Sequence, residues 1–148
     1  MAEQTVKNLP SLYEQDETAW LDQMAILAAQ RCVDEIDYEH LSEYLTDMAE
    51  RDKRAVISRL TVLLIHVLKW QYQPERRTNS WRSTIRTQQD KLKKLLKSGM
   101  LRRHADAGLD ETYQEAVVLA SVETELPASA FPAKCFLSLD DMLVYAVE

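Results

Sequence analysis

A chain of 148 residues with 46% apolar side chains and only two glycines fits one domain with a core of its own, 1–148. A chain of that size buries about two-thirds of the surface it exposes when unfolded. Cys32 and Cys135 have neither Cys-x-x-Cys nor Cys/His spacing, which argues against a disulfide framework or a zinc site and for reduced thiols in a cytosolic protein. The net charge of −6 hides a partition: residues 1–50 hold two bases and twelve acids, 51–104 fifteen and three, 105–148 one and nine.

The first residues are polar and acidic, unlike a signal peptide, and 1–12 are expected to be flexible or loosely docked. Asp16 suits the N-cap of a first helix reaching about Arg31, with Trp20, Met24, Leu27 and Ala28 as its apolar stripe. A second helix is predicted after Asp37 with Tyr38, Leu41, Leu45 and Met48 inward and Glu39, Glu43, Asp47 and Glu50 outward. The third, from about Asp52 to Tyr72, is apolar nearly all round and stops before Pro74. Its apolar run, Leu60 to Leu68, is far shorter than the ~20 residues that cross a bilayer.

Asn79 or Ser80 is the predicted cap of a fourth helix to about Lys97, which buries Trp81, Ile85 and Leu92 and carries Arg82, Arg86, Lys93 and Lys97 on its other side. A short helix closed by Gly108 follows, then a long one from about Asp110 to Glu125 with Tyr113, Ala116, Val117 and Ala120 inward. The two prolines of PASAFPAKCF mark a loop, and Ser138 with Asp141 gives a capping box for a last short helix. The fold class is all-α: a single compact helical bundle of about five main helices plus a short C-terminal one.

The run LTVLLIHVLKWQYQPERRTNSWRSTIRTQQ, together with Tyr13-Glu14-x-Asp16, Trp20, Ile36-Asp37, Leu41, Glu43, Phe131-Pro132 and Cys135, resembles a bacterial family common in cyanobacteria and proteobacteria, domain of unknown function number twenty-nine. The resemblance spans nearly the whole chain. It implies a compact all-α domain and no established activity. Relatives tend to carry Glu-Glu where this chain has Glu43-Tyr44, and Cys-Pro where it has Cys135-Phe136.

Three functional readings stay open. The absence of GxSxG, of a glycine-rich phosphate loop and of an ExxH helix leans away from an enzyme and names no cofactor. The first reading is therefore a cytoplasmic, non-enzymatic protein-binding module. Its surface would be His66, Lys69, Trp70, Gln73, Arg76, Arg77, Ser80, Trp81, Arg82 and Arg86. A second copy is one possible protein partner, through the acidic and basic helix ridges, and no membrane is involved. The second reading is binding or cleavage of nucleic acid by the same basic and aromatic side chains, which suit phosphate contact and base stacking. Against it stands a pI near 5. The third is a carboxylate-histidine metal site of Glu43, Asp47 and His66 in a bundle.

Overall fold

The computed structural model describes residues 8–148, which fall into two compact units that divide between Glu50 and Arg51. Most of the expected loose N-terminus lies outside the described residues.

In the first unit α1 spans Leu9–Gln15, with Leu9 buried and a proline in its opening turn, where a missing N–H costs no helical bond. Asp16 ends α1 and starts α2, Glu17–Ala29, by accepting from the Ala19 N–H at 3.1 Å. That is the cap the sequence predicts. Trp20, Met24 and Leu27, at i, i+4 and i+7, are buried with Leu9, and Leu12, Tyr13, Ile36, Leu41 and Tyr44 pack around them. Arg31, at φ 59°, turns the chain out of α2 in the left-handed region. A 3-10 turn, Val33–Glu35, leads into α3, Tyr38–Tyr72. The predicted inward stripe is corrected at two positions: Tyr38 and Leu45 are each 58% exposed. Leu41 packs on the core as predicted and Tyr44 joins it, because Tyr44 meets the Trp20 ring at 6.0 Å while Tyr38 gives its hydroxyl proton to the Val33 carbonyl.

In the second unit α3 continues to Tyr72, so the two helices predicted between Tyr38 and Tyr72 are one. No glycine or proline interrupts that stretch, and the change of pattern near Asp52 marks how fully the helix is covered rather than a break. Its end is the predicted one, Gln73 giving the last N–H to Lys69 before Pro74. After a 3-10 turn, Pro74–Arg76, α4 runs Asn79–Leu95. Its cap is Thr78, one residue before the predicted pair, with Oγ1 accepting from the Trp81 N–H at 3.1 Å.

Ser98 caps α5, Gly99–Thr124, which passes through Gly108 without interruption. A Cβ at Gly108 would reach only ordinary contact with Ile57 Cδ1, at 3.4 Å, and the backbone there keeps a negative φ, so the helix runs on through this glycine instead of stopping at it. A 3-10 turn, Ala128–Ala130, precedes α6, Leu139–Leu143, whose Ser138/Asp141 capping box is present. The core of this unit gathers Val56, Leu60, Leu63, Leu64 and Leu68 of α3 with Ile85 and Leu92 of α4, Tyr113 and Ala116 of α5, and Met142 and Val147. Among the described residues there is no strand, five helices have seven residues or more, and no helix is long and apolar enough to cross a membrane.

Candidate functional site

Pro74 forces a sharp return from α3 to α4, and the cations that follow it fold back over the end of α3. Trp70 is 4% exposed; the Arg77 guanidinium sits 4.7 Å and the Arg82 guanidinium 5.4 Å from its ring centre. Arg77 Nε also donates to the Trp70 carbonyl at 2.7 Å, one of the four that α3 leaves without an internal donor. A cation at that end also complements the helix dipole. Lys69, buried along its stem, gives Nζ to Glu123 at 2.9 Å and covers the Trp81 ring at 4.7 Å. Gln73 Nε2 donates to the Thr124 carbonyl, closing the end of α5.

His66 stands one turn before Trp70. Its Nδ1 lies 2.8 Å from the Val62 carbonyl, which can only accept, so Nδ1 carries the proton. Burial pushes this imidazole below the ordinary histidine range, the Lys69 charge adds to that, and the Val62 bond and Glu123 only partly offset them.

Further along α4 the polar groups hold main chain. Arg82 Nη2 donates to the Glu148 carbonyl, Arg86 Nη2 to the Val147 carbonyl at 3.2 Å, and Gln89 Nε2 to the Met142 and Tyr145 carbonyls at 3.0 Å each. Tyr145 gives its hydroxyl proton to Gln71, and Val147 is 3% exposed in the core. Hydrogen bonds from charged donors contribute about 1.5–3 kcal/mol each and neutral ones about 0.5–1.5, while burying a valine contributes about 1.5–3. The segment 144–148 is thus held by a few separable contacts. Arg82 Nη1 is held by Asn79, yet its Nε is buried and has no partner among the described residues.

Of the residues singled out from sequence, Lys69, Trp70, Arg77, Trp81 and Arg82 come together around the turn. Arg86 lies one turn along α4, while Gln73 and His66 are turned to carbonyls of α5 and α3. Arg76 and Ser80 are exposed at the rim, and neither side chain has a hydrogen bond or ion pair among the described residues. Glu43 and Asp47 are exposed, and among the described residues no three His, Cys, Asp or Glu side chains are grouped to hold a metal ion. Cys32 and Cys135 are both free.

One constellation in the first unit escapes the sequence reading. Asp37 Oδ2 accepts from Trp20 Nε1 at 3.1 Å and from His40 Nδ1 at 2.8 Å, and its Oδ1 takes the His40 backbone N–H. The imidazole stacks on Tyr13 at 4.4 Å, with its Nε2 3.8 Å from Glu14. The Asp37 hydrogen bond raises the His40 pKa above the ordinary histidine value, against the pull of partial burial, and the Glu43 and Glu14 charges add to the rise. Burial works to raise the Asp37 carboxyl, but the His40 and Trp20 hydrogen bonds outweigh it and hold it below the usual carboxylate range. The signal was available: aspartate at the start of a helix with histidine three residues on.

Compared with known proteins, the chain matches the family described as "Domain of unknown function DUF29" over residues 12–146. No curated protein and no solved structure matches it.

Proposed function

We infer, for a chain that belongs to the DUF29 family, a non-enzymatic role: it is a cytoplasmic protein-binding module that uses the surface around the α3–α4 turn. One observation supports this above the rest. The guanidinium and amide groups of that surface already grip polypeptide, through the main-chain oxygens of Trp70, Thr124, Val147 and Glu148. Donors placed to meet main-chain carbonyls recognise a chain by its backbone, which is how a surface takes a protein segment. His66, the one histidine of the set, spends its Nδ1 proton on Val62, and burial lowers its pKa below the ordinary histidine value.

The rim residues Arg76 and Ser80 carry the test because neither serves the fold. Arg76→Glu with Ser80→Glu is expected to leave helicity and melting unchanged and to lose the partners that the tagged wild-type chain captures from its source cells, as identified by mass spectrometry. Undiminished capture by the double variant would remove the assignment of this surface. Retardation of RNA or DNA at low salt that vanishes at high salt would replace the protein partner with a nucleic acid.

A further inference from the structure

The residues that α4 aims at segment 144–148 do little there that this particular sequence requires. Arg82, Arg86 and Gln89 address backbone carbonyls, and Val147 is the one side chain of the segment that is fully buried. Val144 is 70% exposed, and Ala146 and Glu148 are exposed too. The segment forms no regular structure of its own and follows a helix of only five residues. The Nε–H of Arg82, on the same guanidinium whose Nη2 meets Glu148, is buried without a partner among the described residues, so that guanidinium has one donor more than its contacts take.

We propose that the α4 face of Arg82, Arg86 and Gln89 is a receptor for a polypeptide segment, that residues 144–148 are its resident pseudo-ligand, and that a partner docks by displacing them. The inference rests on the protein-binding reading and names the partner's chemistry. The incoming segment presents free main-chain carbonyls, an aromatic residue at the position of Tyr145, a small aliphatic residue two places later at that of Val147, and an acidic group able to take the idle Arg82 donor. A buried donor without a partner is costly, so an occupant that satisfies it has an advantage over the resident segment. The resident segment has the advantage of being tethered, which presents it at an effective concentration of the order of millimolar.

The full-length chain with Val147→Asp tests this. The substitution puts a carboxylate where the segment has its one apolar anchor and should release it. A labelled synthetic peptide of residues 144–148, VYAVE, is then titrated by fluorescence anisotropy. The expected result is saturable binding to the variant at least tenfold tighter than to the wild type. The same peptide with aspartate at the place of Val147 should not bind, and Arg86→Ala in the variant background should weaken binding at least tenfold. A folded variant that ignores the peptide, or that takes the aspartate peptide equally well, overturns the proposal. Should Val147→Asp fail to fold, Val147→Ala replaces it, and a chain that cannot fold with either shows that the segment is core rather than ligand and equally overturns it. If the peptide fails while the Arg76/Ser80 double variant still loses its partners, the resident-segment inference falls and the protein-binding reading stands.

Discussion

Each unit of the chain is organised around a buried tryptophan, and the two tryptophans are held by different physics. Trp20 gives its N–H to a carboxylate that also binds an imidazole, so the first unit is clasped by groups that gain and lose protons. Trp70 lies under two guanidiniums, and its carbonyl takes a bond from one of them, so the turn in the second unit is clasped by cations on a ring face and a main-chain carbonyl. The charge partition is used differently on the two sides: the strongly acidic first unit relies on an ionic cluster, whereas Arg77, Arg82 and Arg86 of the basic stretch 51–104 are spent on main-chain oxygens and a ring face. A rich supply of charge therefore does not mean a surface of ion pairs.

The largest expected effects come from the two cores. Trp20→Ala should cost about 3–5 kcal/mol and Leu60→Ala about 2–5. Residue-resolved amide exchange should place the first loss in the first unit and the second loss in the other. Next, Asp37→Asn should cost about 1–3 kcal/mol, since His40 and Trp20 lose their charged acceptor. Smaller still, the two histidines should give opposite pH slopes. His40 has a raised pKa, so its contribution is complete below the unfolded histidine value, about 6.5, and is lost as pH rises through the folded value. His66 has a lowered pKa, so its contribution is complete above about 6.5 and is lost as pH falls through the folded value. Opening free energies measured by amide exchange should fall around His40 and rise around His66 as pH goes up, and slopes of one sign would contradict both assignments. The smallest effect belongs to Arg77→Lys, about 1 kcal/mol, because an ammonium keeps the charge but cannot reach ring face and carbonyl together.

Helix ends with a local chemical cause were legible in the sequence. The Asp16 cap, the stop before Pro74 and the Ser138/Asp141 box depend on neighbours within a few residues. Joining the stretch from Tyr38 to Tyr72 required attention to the missing breaker instead of the shifting apolar stripe. Gly108 was misread as a stop because a glycine ends a helix where the chain turns left-handed, and here its φ is not positive. At the site, sequence composition found Trp70, Arg77, Trp81 and Arg82, which meet around one turn. It could not find what Arg82 and Arg86 hold, because a backbone carbonyl more than 60 residues away leaves no mark in residue identity. His40 was within reach, since its Asp37 partner sits three residues before it.

The claim that α4 holds segment 144–148 as a displaceable occupant is tested most directly by thiol labelling under native conditions. With Cys32 and Cys135 replaced by alanine, a single cysteine is placed at Val147 in one chain and at Leu64 in another, and the modification rates are compared. Release of the segment by itself predicts that the cysteine at 147 reacts at least a hundredfold faster than the one at 64, and faster again with Arg86→Ala, while the rate at 64 barely changes. Equal rates at the two positions would mean that both open only when the whole unit unfolds, and would contradict the account.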